Sequence, residues 1–255
     1  MIIRLSEMTR EEIKRIAPDT VAVLSTASIE QHGPHLPVCT DSLLCETVTL
    51  RAVEQAAQQV SVVAAPILYY GNSHHHFPFA GVLSLTSHTF IAAVTEVLEG
   101  LVRSGFKKLV VLNGHGGNED SNGVVALDFV HRLGHPVSIA TESYWNIARN
   151  RLTEKGLIPT ERIPGHAGLF ETSLVMAIRP DLVSREGLGQ TRDISQEKQG
   201  LFANLSGATA QTHGAWAAST GYTDNPTAAS PEQGQAMLEV IVQAVADFLV
   251  AFAKL

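Results

Sequence analysis

Residues 20–41, TVAVLSTASIEQHGPHLPVCTD, carry the reading of the fold. The first eight are apolar and small, rich in valine, and apolar on both faces, as in a strand buried between two layers of helices. The strand runs straight into Ser28-Ile29-Glu30-Gln31-His32-Gly33-Pro34-His35. Glu30 and His32 are two residues apart, so an extended backbone points both side chains to one side. Gly33 and Pro34 then turn the chain, and Thr40-Asp41 open a helix with another carboxylate.

The same grammar recurs along the chain. Strand-length apolar runs at 60–68, 107–113 and 135–141 alternate with helical patterns at 42–58, 87–103, 118–133, 169–178 and 231–253. Ser230 is a ready N-cap for the last helix, with Pro231 at its first position, and Thr9 with Glu12 caps a short helix at 9–16. Alternation of this kind predicts an α/β fold, a three-layer α/β/α sandwich on a mostly parallel sheet. Residues 190–230, dense in Gly, Ser, Thr, Ala and Asn, read as long loops, and so does 143–165. No linker, repeat or low-complexity tract divides residues 1–255, so one domain is expected.

Composition narrows the partners. Of 255 residues, 18 are basic and 25 acidic, a net charge of −7, and no Lys/Arg cluster offers a nucleic-acid footprint. The N-terminus lacks an uninterrupted apolar h-region, and no apolar run approaches the roughly 18 residues of a membrane span. No nucleic acid, no membrane and a cytoplasmic location are therefore expected. Cys39 and Cys45 make no disulfide framework and read as free thiols. Only 17% of residues are charged, which suits a surface partly covered by other subunits.

Ligands of open α/β sheets bind beyond the carboxyl ends of the strands, and the polar clusters lie there. Strand 107–113 ends in Asn113-Gly114-His115-Gly116-Gly117-Asn118, and His166-Ala167-Gly168-Leu169-Phe170-Glu171 opens another helix. Three carboxylates and at least three histidines thus come from three strand-to-helix junctions. Mixed nitrogen and oxygen donors suit two divalent ions such as Zn, Mn or Fe rather than calcium. Taken singly, each cluster has a plainer reading: a surface turn, an anion-cradling glycine loop, a helix cap.

Glu30-Gln31-His32-Gly33-Pro34-His35-Leu36-Pro37 with Thr40-Asp41, NGHGGN at 113–118 and HAGLFETS at 166–173 resemble the signatures of the creatininase (creatinine amidohydrolase) family. Tyr70-Gly71-Asn72-Ser73 with His76, Phe79 and Gly81 resembles a further stretch, and 221–234 gives a weaker echo. The resemblance implies a binuclear metal centre that hydrolyses the C–N bond of a small cyclic amide, lactam or formamide with metal-activated water. By position, Asp41 bridges the metals, Glu30 and His115 complete one site, and His32 with a carboxylate completes the other. Family members are commonly homo-oligomers, often hexamers.

Two departures bear on the substrate. The creatinine-hydrolysing branch has a Glu two residues beyond the loop histidine, where this chain has Gly117, and Asp224-Asn225-Pro226 replaces a more usual Gly-Asp-Pro. The missing carboxylate is therefore assigned to Glu171, and creatinine itself is not the expected substrate. His166 is expected to carry the proton to the leaving nitrogen, with Glu171 as its catalytic partner. His76, Tyr144 and Trp145 are expected to bind the small-molecule substrate. The alternatives are a hydrolase or isomerase of a sugar-like ketone and a non-catalytic metal-binding protein.

Overall fold

The computed structural model describes residues 3–195 and 210–255. Four parallel strands, β1 (Val21–Thr26), β2 (Val62–Ala64), β3 (Lys108–Asn113) and β4 (Ser138–Ser143), are ordered β2-β1-β3-β4. Side chains alternate across the sheet and build two cores. Val21, Val23, Val110 and Leu112 pack on one face against α2 (Thr40–Ala56), α5 (Tyr144–Glu154), α6 (Leu169–Ile178) and α8 (Pro231–Ala253). Ala22, Leu24, Leu109 and Val111 pack on the other against α3 (Ser87–Arg103), α4 (Glu119–His131) and α1 (Arg10–Ile16), and a short α7 (Arg185–Gly189) precedes α8 in the chain. The result is the expected α/β/α sandwich.

The register matters more for function than the order. Thr26, Asn113 and Ser143 are lateral partners, so β1, β3 and β4 end level. Asn113 ties this edge together, accepting from Thr26 Oγ1 at 3.2 Å and donating to Ser143 Oγ at 2.9 Å. The loops leaving the three strands therefore start from one plane.

Several expectations need correcting. The strand expected over 60–68 breaks at Pro66, which has no N–H for the ladder; pairing to β1 resumes at Leu68. The strand expected at 135–141 instead spans β4, three residues later, and as an edge strand it is half-exposed rather than buried on both faces. Residues 144–154 are helix, not loop. Their apolar stripe, Tyr144, Trp145, Ala148 and Leu152, was concealed by the Asn and Arg residues between them. Of the loops expected over 190–230, residues 196–209 lie outside the described residues, and the described remainder contains no strand.

The helix α8 is long and apolar enough to cross a membrane by length and composition alone, which the search for an unbroken run missed. Its apolar face is instead occupied by α2, α5 and α6. The outward Asp247 pairs with Arg151 at 2.6 Å.

Candidate metal centre

Five side chains from four segments meet beyond the level strand ends. Glu30 and His32 come from the loop after β1, Asp41 from the first turn of α2, His115 from the loop after β3, and Glu171 from the first turn of α6. All are buried. Asp41 lies between the two imidazoles, with Oδ2 2.8 Å from His115 Nδ1 and Oδ1 3.1 Å from His32 Nε2. Glu30 Oε2 is 3.3 Å from His115 Nδ1, and Glu171 Oε2 is 3.7 Å from His32 Nε2. His32, Asp41 and Glu171 have ligand atoms close enough to share one ion.

The far sides of the rings decide what the near sides are for. His115 Nε2–H donates to the Asn72 carbonyl at 3.0 Å, and His32 Nδ1–H donates to the Glu30 carbonyl at 3.1 Å. Each ring then turns its other nitrogen to carboxylate oxygens, a contact that is favourable only with a cation, a proton or a metal ion, between the two. Backbone carbonyls in this position are the usual orienting partners of metal-binding histidines. Glu30 Oε2 and Asp41 Oδ2 are buried without a hydrogen-bond partner, although His115 Nδ1 is near both. An orphaned carboxylate oxygen in a dry site is costly. The donor set and these orphans fit two divalent ions sharing Asp41.

Charge tells the same story. Burial opposes a charged ring at His32 and His115, but the carboxylates outweigh it and hold them up at about 10 and about 9. Burial and the neighbouring Asp41 push Glu171 up to about 8, against the pull of His32. All three groups thus bind protons more tightly folded than unfolded. The stability they contribute is complete below their ordinary values of 4.5 and 6.5 and is lost as pH rises through the folded ones. Through these three groups the metal-free protein is therefore expected to lose thermal stability progressively from about pH 4.5, where Glu171 begins, to about pH 10, where His32 ends. Zinc bound there would take over the protons' role, so the melting-temperature gap between zinc-loaded and metal-free protein should widen over that range. A gap independent of pH contradicts this reading.

Gly117 bars a carboxylate from the loop beside His115. A Cβ there would lie 2.3 Å from the Asn72 carbonyl oxygen and 2.6 Å from His115 Nε2, inside the bond that orients His115. The loop has no room for a side chain at this position. Glu119 is engaged elsewhere, accepting from Ser143 Oγ at 2.6 Å and Asn146 Nδ2 at 3.3 Å. Glu171 Oε2 accepts the Ala167 N–H at 2.5 Å, which steers the carboxylate back over the helix start.

Above the carboxylates opens a cavity of about 700 Å³. His76 and His166 reach Glu30 Oε1 with Nε2 and Nδ1 at 3.3 and 3.6 Å. Trp145 lines the cavity. Tyr144 does not: it is buried in the core, edge-on to Trp145 and stacked with Phe170, so its expected substrate role is withdrawn. His75, one of three consecutive histidines, lines the cavity beside His76. Trp216, which lies in a weakly patterned loop and was not singled out, lines it too, its ring 4.2 Å from that of His76.

A family model described as creatininase, creatinine amidohydrolase, matches residues 6–249. The chain belongs to the creatininase family. Among creatininase-family relatives, the creatinine amidohydrolase of Pseudomonas putida is 30% identical over 253 residues, covering 92% of this chain and 91% of that protein. A mycofactocin precursor peptide peptidase of Mycolicibacterium smegmatis is 29% identical over 253 residues, covering 95% and 89%. Two solved creatininase structures, a mutant of Zn–Zn type and a creatininase with Mn, superpose with TM-scores of 0.76 and 0.77. They are 28% and 27% identical to this chain, with 97% of both partners covered in each case. Membership establishes a hydrolase of this family, and those two creatininase structures are of Zn–Zn type and with Mn.

Proposed function

We propose that this creatininase-family hydrolase binds two divalent ions per chain and cleaves the C–N bond of a small cyclic amide, lactam or formamide. The observation that carries the proposal is Asp41, whose two oxygens face two different imidazoles, with Asp41 Oδ2 and Glu30 Oε2 both crowded on His115 Nδ1. Glu30, Asp41 and His115 would hold one ion, and His32, Asp41 and Glu171 the other. Two cations held there would supply a water of lowered pKa and a charge to polarise the substrate carbonyl.

The chain's own residues supply the rest. Burial and the neighbouring His32 and His76 keep His166 well below the ordinary imidazole value, so it rests neutral with Nδ1 turned to Glu30 and the cavity. A neutral ring can accept a proton from water and pass it to the departing nitrogen. Trp145 and Trp216 give the cavity apolar walls for a planar substrate. Creatinine is not favoured, because Gly117 cannot carry the carboxylate of that branch.

The cavity's volume supports a second reading. About 700 Å³ lies well within the range that holds drug-sized ligands, and a monocyclic lactam fills little of it. Short peptidyl amides, by analogy with the peptide-processing relative, therefore belong in the same screen. Zinc- or manganese-loaded protein should be incubated in ¹⁸O-water with lactams, formamides and peptidyl amides. Hydrolysis places one labelled oxygen in the product carboxylate. A turnover product with no label indicates isomerisation or elimination, and failure across all three classes overturns the amidohydrolase proposal.

A further inference from the structure

Gln31 stands in sequence between two candidate ligands and is itself buried. Its side-chain oxygen accepts the Gly33 N–H at 2.9 Å, which settles the orientation of the amide. The amide nitrogen then lies 2.9 Å from His76 Nδ1 and 3.0 Å from His166 Nε2. An amide nitrogen donates two hydrogens and accepts none. His76 Nδ1 is therefore an acceptor, and the hydrogen of that ring sits on Nε2, directed at Glu30 Oε1. This bond occupies Oε1 and leaves Oε2, the orphaned oxygen, for a cation.

His166 is held differently. Its Nε2 is 3.0 Å from the Gln31 amide nitrogen and 2.9 Å from the Gln31 main-chain carbonyl. When Nε2 carries a hydrogen, the carbonyl accepts it; when Nε2 is bare, the amide donates to it. The ring keeps a hydrogen bond to residue 31 whether Nδ1, which faces the cavity, is bare or protonated. Space for the amide is itself built in. A Cβ at Gly221 would lie 2.5 Å from Gln31 Oε1, and the φ of +79° there suits glycine.

We propose that Gln31 is a positioning residue. Its amide fixes His76 as a donor to Glu30 and, with the main-chain carbonyl of the same residue, anchors His166 over the carboxylates. The kinetic part of this inference rests on the hydrolase reading above; the part concerning histidine hydrogens does not. Gln31→Met keeps the length of the side chain and removes its hydrogen bonds, and Gln31→Glu keeps the oxygen for Gly33 but removes the donor.

Zinc-loaded protein carrying ¹⁵N-histidine should be compared with both variants by long-range ¹H–¹⁵N NMR, with the His76 signals assigned by their loss in His76→Asn. The wild type is expected to show His76 with a bare Nδ1 and a hydrogen on Nε2. Gln31→Met is expected to give mixed tautomers, with zinc content and KM within about twofold of wild type. Its kcat should fall roughly 10–100-fold, part of what a positioned proton carrier contributes. Gly221→Ala, which leaves Gln31 in place but crowds its amide, should move both readouts in the same direction. An unchanged tautomer pattern in Gln31→Met overturns the proposal, as does zinc loss in proportion to lost activity. Should Gln31→Met fail to fold, Gln31→Glu decides by the same criteria. Should no substrate turn over, the NMR comparison decides alone.

Discussion

Asp41→Ala is expected to hold less than one ion per chain after zinc reconstitution and to lose activity by roughly 10³-fold or more, the scale of several kcal/mol of cationic stabilisation. The reason lies in the position of this carboxylate. Its two oxygens address His115 and His32 separately, so its removal takes a ligand from both sites at once. Loss of any other carboxylate affects one. The fold should survive, because the two cores are formed by apolar side chains of the sheet and helices. Far-ultraviolet circular dichroism should match wild type, and metal analysis should show the loss. Two ions retained in Asp41→Ala would mean that another group bridges.

Glu171→Gln should weaken one site and spare the other. An amide keeps the shape and one oxygen but not the charge, and the acceptor role towards Ala167 N–H can persist. The site of His32 is expected to lose about 10–100-fold in affinity, while that of Glu30 and His115 stays within a few-fold, by the scale on which altered coordination partners act. Zinc titration with a competing chelator should therefore change from two tight phases to one tight and one weak. The companion change, Gly117→Glu, tests the same assignment from the opposite side. The Asn72 carbonyl and the His115 ring leave that side chain no space, so it should disturb His115 rather than restore the pattern of the creatinine-hydrolysing branch. Equal weakening of both sites in Glu171→Gln would place Glu171 outside the coordination.

Much of this was legible in the sequence because the signals were local. An apolar run ending in Glu30-Gln31-His32 and another ending in Asn113-Gly114-His115 declare both a strand and its polar end. The observed register only had to bring those ends level. Glu30, His32 and His115 are brought together in the structure because each sits within a few residues of such an end, while Asp41 and Glu171 join them from the first turns of α2 and α6. Trp216 was not legible: its place over His76 depends on the path of a long loop, which no short-range pattern encodes. Tyr144 was misread for a related reason. The first turn of α5 sends adjacent aromatics in different directions, Trp145 to the cavity and Tyr144 into the core, and only the helix, not the dipeptide, distinguishes them. Gln31 stood in plain view, but its importance depends on two histidines 45 and 135 residues away.

The measurement that bears most directly on the central claim is anomalous diffraction at the zinc edge from crystals of the zinc-reconstituted protein. Two peaks per chain are expected, about 3.5–4 Å apart as in two-metal hydrolytic sites. One should lie among Glu30, Asp41 and His115, the other among His32, Asp41 and Glu171, with one Asp41 oxygen bound to each. A single peak, or two peaks that do not share Asp41, would contradict the account.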